Sequence, residues 1–126
     1  MIEMTSPKVH SSAQMTLLKY STHDCPACQG MAPFDASVAM SMGLSFVDVD
    51  MKSPEIYGRY RKILLQQYPL KRELGLPTYL LVENPEGEFV IHGEIFGGMP
   101  EPAFRDKLRL LLEEGIVPQR GDENCD

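Results

Sequence analysis

The sequence is short of three things, and each shortage removes a class of function. Positive charge is scarce: 12 lysines and arginines stand against 18 acids, for a formal net charge of −6. A general nucleic-acid binder needs a basic footprint, so no nucleic-acid partner is expected. Arg59, Arg61, Lys62, Lys71 and Arg72 do gather in one region, which reads as the solvated face of a helix. Long apolar runs are also missing. None reaches the ~18 residues that a membrane span requires. The opening residues, MIEMTSPKVHSSAQM, lack both a basic start and an apolar stretch, so no secretory signal is read and a cytoplasmic location is expected. Cysteine is the third shortage, with three in 126 residues. Three are too few for a disulfide-stapled scaffold, and a reducing cytosol would oppose a static bridge.

What is present is one domain's worth of chain with ordinary globular composition, 43% hydrophobic and 24% charged. Residues 1–14 are polar and aperiodic, so they read as a loose arm, and residues 118–126 as a disordered tail. The domain between them spans 15–117. MTLLKY (Met15–Tyr20) reads as a buried strand. Met31, Phe34, Val38 and Met42 then recur on one helical face, and Gly43 is placed to end that helix. LSFVDVD (Leu44–Asp50) alternates as a strand does. Ser53-Pro54-Glu55 carries helix-start chemistry, with Ser53 as the cap. Ile56, Tyr60, Ile63 and Leu64 form the stripe of this second helix, which Pro69 should break, with a short turn through Leu74 to follow. PTYLLV (Pro77–Val82) and EFVIHGEIF (Glu88–Phe96) read as strands joined by the turn ENPEG, an antiparallel hairpin. Phe104, Leu108, Leu111 and Leu112 mark a last helix closed by Gly115. The order implies an α/β fold: a mixed four- to five-stranded sheet with helices on both faces.

The chemistry concentrates in HDCPACQGMAP, His23 to Pro33. Cys25 and Cys28 follow a strand and open a helix. Free backbone N–H groups and the positive end of the helix dipole lie there, and both favour a thiolate, the form that attacks a disulfide. A second cysteine one turn later can attack the mixed disulfide and release the product. Pro26 has no N–H to donate and helps begin the turn. Zinc is the competing use of such a pair, with His23 as third ligand and His10, His92 or Cys125 as fourth. Zinc sites usually combine two ligand pairs at set spacing, and no second pair exists here, so no metal is expected. The eight methionines read as core filling, and Cys125 as an exposed bystander in the tail.

Cys-x-x-Cys between a strand and a helix resembles the thioredoxin superfamily. Pro33, five residues after Cys28, matches the family's kinking helix proline. VDVD (Val47–Asp50) resembles the strand that the family ends with Asp. LGLPT (Leu74–Thr78) resembles the segment carrying its cis-proline, which would be Pro77, and FGG (Phe96–Gly98) resembles its glycine site near the substrate groove. The resemblance covers about residues 15–114. It implies a thiol–disulfide oxidoreductase in which Cys25 attacks and Cys28 resolves. Leu76 and Pro77 would position the substrate backbone, with Pro26 and Gly97 lining the groove. It further implies protein disulfides as substrates, thioredoxin reductase or glutathione as electron donor, no cofactor, and a monomer.

The pattern departs in places. The family's buried Asp, six positions before the first cysteine, is Lys19 here, and its partner lysine falls at Phe46. A cation there would favour a thiolate where a carboxylate disfavours it, so Lys19 either tunes the dithiol or snorkels to solvent. The usual aromatic before the first cysteine is Asp24, and His23 and Asp24 would tune Cys25 in opposite senses or stand as plain loop surface. Glutaredoxins are a second likeness, through Tyr20-Ser21, the Cys-Pro-x-Cys form and Gly97-Gly98. Against it, their glutathione-binding lysine is Thr22, and their Thr-Val before the cis-proline is Gly75-Leu76. A third reading is a docking subunit that uses the fold without the chemistry.

Overall fold

The computed structural model describes residues 15–69 and 75–116. The expected arm over 1–14, the turn ending at Leu74 and the tail over 118–126 lie outside them. In chain order the elements are β1 (Met15–Ser21), α1 (Pro26–Met31), α2 (Asp35–Ser41), β2 (Ser45–Asp50), α3 (Pro54–Gln67), β3 (Thr78–Glu83), β4 (Val90–Phe96) and α4 (Glu101–Ile116). Four strands form one mixed sheet, ordered β2-β1-β3-β4. β1 and β2 are parallel, joined through α1 and α2, while β1–β3 and β3–β4 are antiparallel. The four-strand end of the expected range is therefore what the described residues build.

The alternation of β1 sorts the core. Leu17 faces one side with Met31, Val38, Ala39, Tyr79, Leu81, Ile95, Phe104 and Leu108, so α1, α2 and α4 cover that face. Leu18 and Tyr20 face the other side with Val49, Leu80, Val82 and the Tyr60, Ile63, Leu64 stripe of α3. Helices lie on both faces, as the element order implied, and Arg59, Arg61 and Lys62 point to solvent.

Three local expectations change. The first helix is not continuous: Pro33 splits it into α1 and α2. A proline has no N–H for the Gln29 carbonyl, so the Ala32 amide is shared between Cys28 O and Gln29 O at 3.2 and 3.3 Å. Ser53 precedes α3 without a capping side-chain bond; Pro54 in the first turn and Ser53 O accepting from Tyr57 N begin the helix instead. The last helix runs through Gly115 to Ile116. Gly43, by contrast, ends α2 as expected, at φ +83°, where a side chain would be strained. The hairpin also forms, with Asn84 in the left-handed region (φ 57°) and Gly87 N donating to Asn84 O.

Candidate functional site

The two parallel strands end on the same side of the sheet, and the cysteines sit just past the end of β1. Cys25 closes the Thr22–Cys25 turn by donating its N–H to Thr22 O at 3.2 Å, and then caps α1. Its Sγ accepts the N–H of Cys28 at 3.1 Å, one of the unsatisfied donors of a first helical turn. The cysteines are joined as a disulfide with their Cα atoms 5.2 Å apart. Cys25 is half-buried and Pro26 and Ala27 are exposed, whereas Cys28 is 3% exposed. One cysteine is partly open to solvent; the other is part of the core.

A second segment closes on this turn. The Leu76–Pro77 bond is cis, and Pro77 is buried with Leu76 half-buried. Pro77 O accepts the N–H of Gly97 at 2.8 Å, and Gly97 has φ +79°. The next residue, Gly98, lies against the dithiol helix: a Cβ there would stand 3.2 Å from the Cβ of Ala27. Gly97 and Gly98 thus form a seam, with the cis-proline on one side and the inter-cysteine dipeptide on the other. Met99 extends it by donating its N–H to the Sδ of Met31 at 3.3 Å. Phe96, just ahead of the seam, is 46% exposed and tilts against Tyr68 with ring centroids 5.7 Å apart.

Of the two readings of His23 and Asp24, the exposed positions of both agree with plain loop surface. Asp24 pairs with Lys52 at 3.0 Å. The Thr22 hydroxyl and then Lys52 hold its carboxyl down to about 2, below the ordinary 3.8. The exposed His23 offers its carbonyl oxygen to the Gln29 side chain. Among the described residues, neither His23 nor Asp24 hydrogen-bonds a cysteine sulfur. His92, once a candidate metal ligand, bonds Glu83 at 3.0 Å.

Lys19 is the largest correction. It does not snorkel to solvent; its side chain is 2% exposed. Its ammonium donates to Cys28 O at 3.0 Å and pairs with the Asp35 carboxylate at 2.7 Å. Tyr79, directly across from Lys19 in the β1–β3 register, donates its hydroxyl to the same Asp35 oxygen at 2.9 Å. Burial first, then the charge and acceptance of Asp35, and lastly Asp48, push the Tyr79 phenol far above its ordinary 10.0. A buried carboxylate does therefore lie near the second cysteine, supplied by α2 instead of β1. Sequence reasoning overlooked Asp35, although a signal was present. It is the one charged residue between Cys25 and Val47, and it sits seven positions after Cys28, on the same helical face as Val38 and Met42. An acid on an apolar stripe needs a buried partner.

No family model and no curated protein matches the chain. Solved structures do. A thioredoxin from Thermus thermophilus aligns with a TM-score of 0.64 at 23% identity, over 94% of this chain and 92% of that one. A mutant thioredoxin from Halobacterium salinarum aligns at 0.54 and 20% identity, over 82% and 80%. A thioredoxin from Fasciola hepatica aligns at 0.54 and 15% identity, over 85% and 86%. At these identities the likeness establishes the fold: the chain has the thioredoxin fold.

Proposed function

We propose that this chain is a thiol–disulfide oxidoreductase acting on protein disulfides through Cys25 and Cys28. The observation that carries the reading is the asymmetry of the pair: a disulfide opening a helix, with Cys25 partly exposed and Cys28 buried. In the reducing direction, the Cys25 thiolate attacks one sulfur of the substrate disulfide. That S–S bond breaks, and the second substrate sulfur leaves as a thiolate and takes a proton. Cys28 then loses its proton and attacks Cys25 Sγ, displacing the first substrate sulfur, which is protonated in turn. Two electrons pass to the substrate and the Cys25–Cys28 disulfide remains. The helix start stabilises the thiolate that begins the sequence.

The seam supports a place for the substrate. Leu76 and Pro77, with Gly97 and Pro26 at its borders, would receive an extended segment alongside the dithiol, and two glycines leave the backbone open to close approach. Thioredoxin reductase or glutathione would return the disulfide to its dithiol, and a reducing compartment such as the cytoplasm suits that cycle.

Insulin reduction tests the reading, with NADPH and thioredoxin reductase in one arm and glutathione in the other. Turnover in either arm, lost in Cys25→Ser, is the expected result, and the arm that works identifies the donor. Cys28→Ser should hold a mixed disulfide with substrate. Absence of turnover in both arms, with no trapped species, would overturn the proposal in favour of a docking role.

A further inference from the structure

β4 is an end strand of the sheet, with no neighbour beyond it among the described residues. Native sheets usually protect such an edge with lysine, proline or a bulge, because its unpaired N–H and C=O groups invite another strand. Val90–Phe96 holds neither lysine nor proline. A register shift opposite Leu81 and Val82 leaves His92 without a partner on β3, and the strand is regular only from Gly93 to Phe96. Gly97 donates to Pro77 O, so the pair just past the strand is a hydrogen-bonded one, and pairs alternate from there. Ile95 and Gly93 therefore bond inward to β3, while Glu94 and Phe96 direct their backbone N–H and C=O groups outward.

Those two residues also line a groove of about 470 Å³, which continues over Ile95 to Lys107, Leu110 and Leu111 of α4. Gly93 allows the helix this close: a Cβ there would stand 2.5 Å from Leu111 Cδ2. The walls are apolar and open, with Leu110 53% and Phe96 46% exposed. The one carboxylate of the strand is engaged on the α3 side, where Glu94 Oε1 accepts from Gln67 Nε2 at 2.6 Å and from the Tyr68 hydroxyl at 2.5 Å. On α4, Arg105 and Arg109 are each paired with an acid, whereas the exposed Lys107 has no such partner among the described residues.

We infer that this edge is a docking strip for substrate: an extended segment of the substrate protein, flanking its disulfide, pairs with the backbone of Glu94 and Phe96. Alternate side chains of that segment enter the groove. Those nearest Leu110 and Leu111 are apolar, and an acidic residue suits Lys107. Continuity selects this occupant. Phe96 is followed by Gly97, at the border of the seam that would receive substrate, and a strand advances only ~3.3 Å per residue. The regular stretch is short for a second copy of the chain, since a specific interface buries roughly 1,000 Å² or more. A substrate already held by a mixed disulfide needs less, because its flanking segment binds at high effective concentration. The inference rests on the proposed reaction of Cys25 and Cys28.

The test uses the full-length chain carrying Cys28→Ser and Cys125→Ser, in which Cys25 is the sole thiol. The probe is a short peptide of alternating valine and threonine with one aspartate and one cysteine, the cysteine at its start in one version and at its end in another. That cysteine is activated as a thionitrobenzoate disulfide. The Cys25 thiolate attacks the peptide sulfur, thionitrobenzoate leaves as the coloured thiolate, and the peptide stays attached through one S–S bond. Amide hydrogen exchange read by NMR should then slow about tenfold or more at Glu94 and Phe96 with one of the two versions. N-methylating the peptide backbone should remove that protection, and Leu110→Asp, a change at an exposed side chain, should weaken it. A loaded chain whose Glu94 and Phe96 amides exchange as before overturns the inference and leaves the reaction standing, as does protection that survives N-methylation. Failure to release thionitrobenzoate overturns both. Protection present without the probe and growing with protein concentration assigns the edge to a second copy, and overturns the inference as well.

Discussion

Asp24 and Lys52 meet at 3.0 Å beside Cys25, and Lys19 and Asp35 meet at 2.7 Å near Cys28. The residue types are identical and the distances nearly so. The surroundings are not: the first pair is 62% and 55% exposed, the second 2% and 3%. Water and salt weaken the outer pair, and the side chains lose freedom to make it, so it decorates the loop. The inner pair has no solvent to fall back on. Breaking it strands a charge, and that penalty makes the lysine and the aspartate dependent on each other. Exposure, not contact distance, decides which pair the fold relies upon.

The largest effect should come from splitting the inner pair. Lys19→Met or Asp35→Ala, each leaving one buried charge, should cost about 3–5 kcal/mol of stability, measured as a shift in the urea midpoint with the disulfide intact. The double variant Lys19→Met/Asp35→Leu should cost less than either single one, because no charge is left stranded. If the singles behave like surface changes, the contrast between the two pairs is broken.

Tyr79→Phe sharpens the same contrast by removing one hydrogen bond to the buried carboxylate. The expected loss is about 1.5–3 kcal/mol, the usual worth of a bond to a charged acceptor. The wild-type phenol gives a matching pH signature. Its folded pKa lies above the unfolded value of 10.0, so its contribution is complete below pH 10 and falls as pH rises beyond that. Ultraviolet titration should find Tyr79 silent where free tyrosines ionise.

Gly97→Ala tests the seam. A side chain at φ +79° should cost about 1–2 kcal/mol, and the Gly97–Pro77 bond should weaken with it, raising KM for a protein disulfide more than it lowers kcat. The smallest effect belongs to the outer pair. Lys52→Met should leave the urea midpoint unchanged within error while raising the Asp24 pKa only part of the way from about 2 toward 3.8, since Thr22 also holds it down. Because the folded value is the lower one, the Asp24 contribution is present above pH 3.8 and fades as pH falls toward 2. Carboxyl NMR titration reads that movement directly.

Much of this was legible in the chain. The four strands, the dithiol opening a helix and the hairpin all follow from local pattern, because period and turn chemistry act over a few residues. Pro77 was placed by its neighbours in Leu74–Thr78. The Lys19–Asp35–Tyr79 trio was not read, because it depends on register: Tyr79 lies opposite Lys19 only once β3 pairs antiparallel with β1. Lys19 in particular left two readings open, tuning the dithiol or reaching solvent, and the cover of α2 removes the second. The Gly98–Ala27 contact is likewise a product of two distant segments meeting, with no trace in either alone.

The proline that divides the first helix has a consequence beyond geometry. An uninterrupted helix would answer each carbonyl of its opening turn with an amide four residues on. With that donor missing at residue 33, the Ala32 hydrogen is spread over two oxygens, and Cys28 O retains the capacity to accept another bond. A cation from the strand below occupies that place. One imino acid, chemically inert and facing outward, thus leaves two carbonyls sharing a single amide, and the ammonium of the strand below completes the Cys28 one.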